Sequence, residues 1–316
     1  MKLTQLVIGG MFILMLFLGG KNAHALTASP VKVEVTADAG QTVTGEIELI
    51  NEQNTQKTLF TSFENFEPAG DTGSPRFIGA EDGLATWMQT QNTLILQPEQ
   101  KIVVPYTITI PKDAEPGGYF AAIFFGEQDP ATQKAGEVSI GGKLGILILL
   151  RVSGDIVESA GLTEYTAHSG NRLFSTLPIS FSYRFSNNGG DRVVPLGDIV
   201  VKNTFGGTAI KLAANKNEGS VLPNSTRKFE AVWGQVTNAT STDSFWTIAK
   251  EQLFNFHFGL YSAHIKVIYG ATNQVATDVY RFIIIPWQFL SLALLACIGI
   301  YFGLKKYNAW IISKNK

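Results

Sequence analysis

Residues Phe282 to Leu304 form a run of 23 residues without a charged side chain, closed by Arg281 on one side and by Lys305-Lys306 on the other. As a helix such a run rises about 34 Å, enough to cross a hydrocarbon core of about 30 Å. The expectation is a single transmembrane helix over 282–304. Pro286 falls in its first turns, where a missing N–H costs least, and Trp287 and Tyr301 stand where interfacial aromatics usually stand. Lys305, Lys306, Lys314 and Lys316 follow the run, whereas only Lys266 and Arg281 closely precede it. By the positive-inside rule, residues 305–316 are then a basic cytoplasmic tail. Trp287, Tyr301, Lys305 and Lys306 are the expected membrane anchors. Tyr307, Trp310, Ile311 and Ile312 among the lysines fit a tail lying on the membrane surface as well as a frayed, passive one.

The other end of the chain carries a second apolar run, Leu6 to Leu18, after Met1-Lys2 and before Gly19, Gly20 and Ala23-His24-Ala25. A positive start, an apolar core of this length and small residues before the cut mark a secretory signal peptide over 1–25. Cleavage is expected between Ala25 and Leu26. The bulk of the chain is therefore expected outside the cytoplasm.

Between these segments, residues 26–281 hold 26 acidic and 19 basic side chains, a formal charge of −7. Nucleic acid is not an expected partner, because it calls for clustered Lys and Arg. The single cysteine, Cys297, lies in the apolar run, so the exported part must rely on packing rather than disulfides.

Alternation of period two organises this region. Val31, Val33 and Val35 alternate with Lys32 and Glu34, and Val43, Gly45, Ile47 and Leu49 alternate with Thr44, Glu46 and Glu48. Lys57–Phe63, Thr93–Leu96, Ile102–Ile110, Tyr119–Phe125 and Leu144–Val152 continue as strands between turn-rich pieces. Leu144 to Leu150 is apolar throughout but too short to span a membrane, so it reads as a central strand. After Gly154-Asp155 the pattern restarts with Ile179, Phe181, Tyr183 and Phe185, and goes on through 199–201, 210–212, Arg227–Trp233, Tyr261–Tyr269 and Val275–Ile284. Residues 237–258 break it and fit a loop with a short helix. The fold class is all-β: two tandem immunoglobulin-like β-sandwiches, over 26–154 and 155–281, followed by the transmembrane helix.

Catalytic chemistry is hard to find. Asp71-Thr72-Gly73-Ser74 has the letters of an aspartic-protease triplet, yet Glu67-Pro68-Ala69-Gly70 precedes it in place of an apolar strand, and no second copy occurs. There is no Gly-x-Ser-x-Gly. His168, His257 and His264 lack metal-ligand spacing, and Glu81, Asp82 and Asp71 lack the alternation of a calcium loop. No enzyme activity, cofactor or metal is expected.

Ala28-Ser29-Pro30-Val31, Gly45-Glu46-Ile47-Glu48-Leu49-Ile50-Asn51, Trp87-Met88, Ile108-Thr109-Ile110-Pro111 and Pro116-Gly117-Gly118-Tyr119 resemble the first domain of WxL-interacting-type cell-surface proteins. Leu222-Pro223-Asn224-Ser225-Thr226-Arg227, Trp233 and Phe258-Gly259-Leu260-Tyr261 resemble their second. The resemblance implies association of the first domain with peptidoglycan and of the second with partner surface proteins. The expected function is a membrane-anchored surface protein that binds cell-wall material or another exported protein. The alternative is a chaperone-like assembly factor that lends a β-strand edge, Val31–Val35 or Ile102–Ile110, to an exported client.

Overall fold

The computed structural model describes residues 26–129, 142–234 and 244–314. Ala25 and the rest of the expected signal peptide lie outside the described residues, as do 235–243; Leu26 opens the first strand. The fold is all-β, with two immunoglobulin-like sandwiches and one long apolar helix at the C-terminal end.

The first compact unit takes in residues up to Phe66, Phe77–Glu115 and Tyr119–Ser153. Its strands are β1 (Leu26–Ser29), β2 (Lys32–Ala37), β3 (Thr42–Asn51), β4 (Lys57–Ala69), β5 (Ser74–Gly79), β6 (Met88–Thr90), β7 (Thr93–Leu96), β8 (Lys101–Thr109), β9 (Gly117–Gly126) and β10 (Lys143–Val152), with the short helix α1 (Gly83–Trp87) before β6. One sheet runs β1-β3-β8-β6; the other runs β2-β10-β9-β4-β5, with β7 on β4. The chain changes sheet at Pro30, which has no N–H to donate to a ladder. Before it β1 pairs antiparallel with β3, and after it β2 pairs parallel with β10. The inward rows of the two sheets, Ile47, Leu49, Leu59, Val104, Ile108, Ile123, Phe125, Ile146, Ile148 and Leu150 among them, are almost wholly buried. Each such side chain contributes about 1.5–3 kcal/mol on leaving water. β10 lies between β2 and β9, which accounts for its unbroken apolar sequence.

The second unit takes in residues 154–316 together with 67–76 and 116–118. Its strands are β11 (Ala160–Ala167), β12 (Leu173–Phe174), β13 (Ile179–Asn187), β14 (Leu196–Asn203), β15 (Thr208–Ala213), β16 (Ser225–Trp233), β17 (Gly259–Tyr269) and β18 (Gln274–Ile284); α2 covers Phe245–Phe254 and α3 covers Trp287–Lys314. A three-stranded sheet β11-β13-β16 faces a five-stranded sheet β12-β18-β17-β14-β15. Aromatic rings fill the space between them. Phe282 packs on Phe174, Phe181 and Tyr261 with ring centroids 5.6–5.7 Å away, and Tyr183 stacks on Phe229 at 5.0 Å.

Phe282 corrects the expected start of the membrane helix. The apolar run is divided: Phe282 and Ile284 are 2% and 1% exposed in the core of the sandwich, as the last inward residues of β18. The helix begins only at Trp287 and continues through Lys305 and Lys306. Hydropathy counts a side chain buried in protein and one bathed in lipid alike, so the boundary was invisible to it. Between strand and helix stand Ile285 and Pro286, and the Ile285 N–H is itself bonded to Phe174 O at 2.8 Å.

The two sandwiches share one polar device. Asn51 at the end of β3 and Asn187 at the end of β13 are both 0% exposed. Asn51 Nδ2 donates to Thr55 O and Gln97 O at 2.9 Å, and its Oδ1 accepts from Gln53 N. Asn187 Nδ2 donates to Asp191 O at 2.7 Å and Val221 O at 2.9 Å, while its Oδ1 accepts from Gly189 N. Each amide thereby satisfies buried backbone groups where the chain leaves the sheet. The buried Tyr183 hydroxyl differs: it finds no hydrogen-bond partner among the described residues, and burial raises its pKa above the usual tyrosine value. Replacing Asn187 by Ala should therefore cost about 1–3 kcal/mol, whereas Tyr183→Phe should cost nothing or stabilise by up to about 1 kcal/mol. Urea unfolding of the full chain in detergent, followed by tryptophan fluorescence, measures both; equal losses would refute the distinction.

Candidate functional site

In β14, β17 and β18 one residue in two faces the core, with Ile199, Val201, Ala263, Ile265, Val267, Tyr280 and Phe282 buried. The other residues form the outer face of the five-stranded sheet. Register sets their rows: Val200, His264 and Val279 stand side by side, then Lys202, Ser262 and Arg281, then Asp198, Lys266 and Thr277, then Leu196, Ile268 and Val275. Lys211 of β15 is opposite Val200, and Thr208 opposite Lys202. A shallow depression of about 600 Å³ lies here, with Val200, Lys202, Lys211, His264, Lys266 and Ile268 among its walls.

Two properties set this face apart. It gathers Lys202, Lys211, Lys266 and Arg281 against one carboxylate, Asp198, which accepts from Lys211 at 2.9 Å. Residues 26–281 as a whole are acidic, so this is a local reversal of sign. It also leaves Leu196, Leu260, Ile268, Val275, Val279 and Ile283 exposed on strands whose opposite side supplies the core. Leu196, Ile268 and Val275 form a row at one end of the face, and Leu260 and Ile283 pair at the other.

His264 sits in the middle. Its Nε2 is 3.0 Å from Ser262 Oγ. Its pKa is held below the ordinary histidine value, first by burial against the sheet and then by Lys202 and Arg281. Ser262 and His264 have the letters of a nucleophile and its base. What flanks His264 across the sheet, however, is Val200 and Val279, and a catalytic base needs an orienting acceptor on its second nitrogen. The cations suit an anion or an acidic surface, and among the described residues no carboxylate orients the His264 ring toward Ser262.

Of the three histidines singled out in the sequence, His264 lies on this face. Asp71 is in a turn, where its Oδ2 accepts from Arg184 Nε at 3.1 Å and Nη2 at 2.8 Å; its carboxylate is committed to an ion pair. His168 Nε2 is 3.2 Å from Pro178 O, and His257 packs edge-on to Trp233 with its Nδ1 2.9 Å from Asn255 O. Among the described residues no three His, Cys, Asp or Glu side chains come together to hold a metal ion. Of the two expected donor edges, β8 lies between β3 and β6, whereas β2 is a terminal strand that carries a Lys32–Glu34 ion pair at 2.7 Å. Trp287 begins α3, and Tyr301, Lys305 and Lys306 follow along it, all exposed. α3 is long and apolar enough to cross a membrane, with a mean hydropathy of 1.8 in its apolar window.

The chain matches no protein-family model and no curated protein. Solved structures similar to it include the class 5 fimbriae chaperone CfaA, with 12% identity over 82% of this chain and 99% of that one and a TM-score of 0.38. The Pseudomonas aeruginosa chaperone CupB2 has 11% identity, covers 82% of this chain and 100% of its own, and gives a TM-score of 0.35. The CsuC–CsuE chaperone–tip adhesion subunit pre-assembly complex from the archaic chaperone–usher Csu pili of Acinetobacter baumannii has 11% identity over 82% of this chain and 98% of that one, with a TM-score of 0.37.

Gly197 lies on the floor of the depression, where a Cβ would stand 2.0 Å from Lys266 O and 2.9 Å from Lys266 C. β14 and β17 approach closely there only because that atom is missing. Gly197→Ala should force the strands apart at a cost of about 1–3 kcal/mol. The unfolding midpoint in urea checks this, and an unchanged midpoint would show that the close approach does not hold the face together.

Proposed function

We propose that this chain is a membrane-anchored, extracytoplasmic and non-catalytic protein that binds another exported protein through the outer face of its second sandwich. The observation that carries this reading is the coincidence of four cations and six exposed aliphatic side chains on one sheet face. The cations attract an acidic surface and raise its rate of encounter, and the aliphatics supply contact area once it has docked. The resemblance to WxL-interacting-type surface proteins supports the same division, since there the second domain is the one associated with partner surface proteins. It also assigns peptidoglycan to the first sandwich. The lysines after Leu304 support an orientation with the sandwiches outside and residues 305–316 in the cytoplasm.

A second reading, the chaperone-like factor, has one observation in its favour: β2 is a terminal strand, open on the side away from β10. An edge of that kind can accept or lend a strand. The Lys32–Glu34 pair argues against it, because charged edges discourage strand addition.

Both readings name an exported protein as partner, so substitutions decide between them. The full chain in detergent, used to capture proteins from a cell-surface extract, should lose captured partner at least about tenfold in the double variant Lys202→Glu and Lys266→Glu, equal to about 1.4 kcal/mol of binding. Val33→Pro in β2 should leave capture intact. The reverse pattern would establish the strand-edge reading, and retention only on peptidoglycan sacculi would assign the binding to cell-wall material.

A further inference from the structure

The divided apolar run leaves α3 short. From Trp287 to Leu304 the helix has 18 charge-free residues, a rise of about 27 Å against a hydrocarbon core of about 30 Å. Lys305 and Lys306 mark one end, so the shortfall falls at the other, where Ile285, Pro286 and whatever surrounds the helix start must meet the boundary between acyl chains and headgroups.

What surrounds it is aromatic. Phe245, Trp246, Leu253, Phe254, Phe256 and Phe258 are all exposed, Trp246 at 68% and Phe254 at 73%. On α2, Trp246 and Leu253 are seven residues apart, two turns along one side of the helix, with Lys250 beside them. Thr247 and Glu251 fall on another side, while Ala249 and Gln252 are buried. The inward side of α2 is fastened to the first turn of α3. Gln252 Nε2 donates to Ser175 O at 3.1 Å and to Gln288 Oε1 at 2.5 Å, and Gln252 Oε1 accepts from Phe289 N at 2.9 Å. Phe245 lies 5.9 Å from Trp287, and Phe256 lies 5.7 Å from Phe289, measured between ring centroids. A bilayer that receives α3 therefore also reaches these side chains.

We infer that α2 and the residues following it form an interfacial collar, in which Trp246, Leu253, Phe254, Phe256 and Phe258 enter the headgroup–acyl boundary of the bilayer that α3 crosses. Aromatic rings favour that layer, and an amphipathic helix lies in its plane with its apolar side inward. Lys250 is long enough to reach lipid phosphates from the same side. The collar supplies apolar depth that the helix lacks, and it holds the second sandwich down on the membrane. This rests on the reading of α3 as a membrane span.

The test uses the full chain reconstituted in phosphatidylcholine vesicles, either ordinary or brominated at a shallow or a deep position of the acyl chain. The emission of Trp246 is obtained by difference from Trp246→Phe, and that of Trp287 from Trp287→Phe. Trp246 should lose most of its emission to shallow bromines and little to deep ones. Emission unchanged by either, or quenched chiefly by deep bromines, would overturn the collar. Trp287 separates the two claims: if it is quenched while Trp246 is not, the collar alone fails. If neither is quenched, the span fails with it.

Discussion

The pairing of β17 with β18 over eleven residues is the constraint on which the second half of the chain depends. One side of β18 supplies Tyr280, Phe282 and Ile284 to the aromatic core, and the other supplies Val275, Val279, Arg281 and Ile283 to the open face. Its end delivers the chain to α3 after two residues. Core, candidate binding face and the start of α3 are thus set by one register. A slip of one residue would exchange Phe282 with Arg281 and ruin all three together.

Much of this was legible in the sequence, because alternation of apolar and polar residues is a direct record of which side of a strand is packed. Ile179 to Ser186 and Tyr261 to Tyr269 could be assigned on that basis alone. β5 and β6 were not seen: Ser74–Gly79 buries no residue fully, and Met88–Thr90 is only three residues long, so neither leaves a periodic trace. The start of the membrane helix was misplaced for a different reason. Residues 282–284 read both as the end of the last strand and as the start of the apolar run, and the tertiary partners of Phe282 decide for the strand.

The candidate binding face left little trace in the sequence. Lys202, Lys211, Lys266 and Arg281 are spread over 80 residues of an acidic region, and each alone reads as a solvated charge. The register of four strands makes them neighbours, and register is a property of the folded sheet. His264 was considered only for its spacing to His257, whereas its meaningful neighbours are Ser262 on its own strand and Lys202 and Arg281 on the adjoining ones.

Ile285 and Pro286 have a mechanical consequence. Two residues span about 7 Å at full extension, and proline stiffens one of them while the Phe174 carbonyl holds the other. There is no slack to take up a sideways pull on the sandwich. With α3 in a bilayer, as proposed, such a load would pass into the lipid as a tilt of the helix.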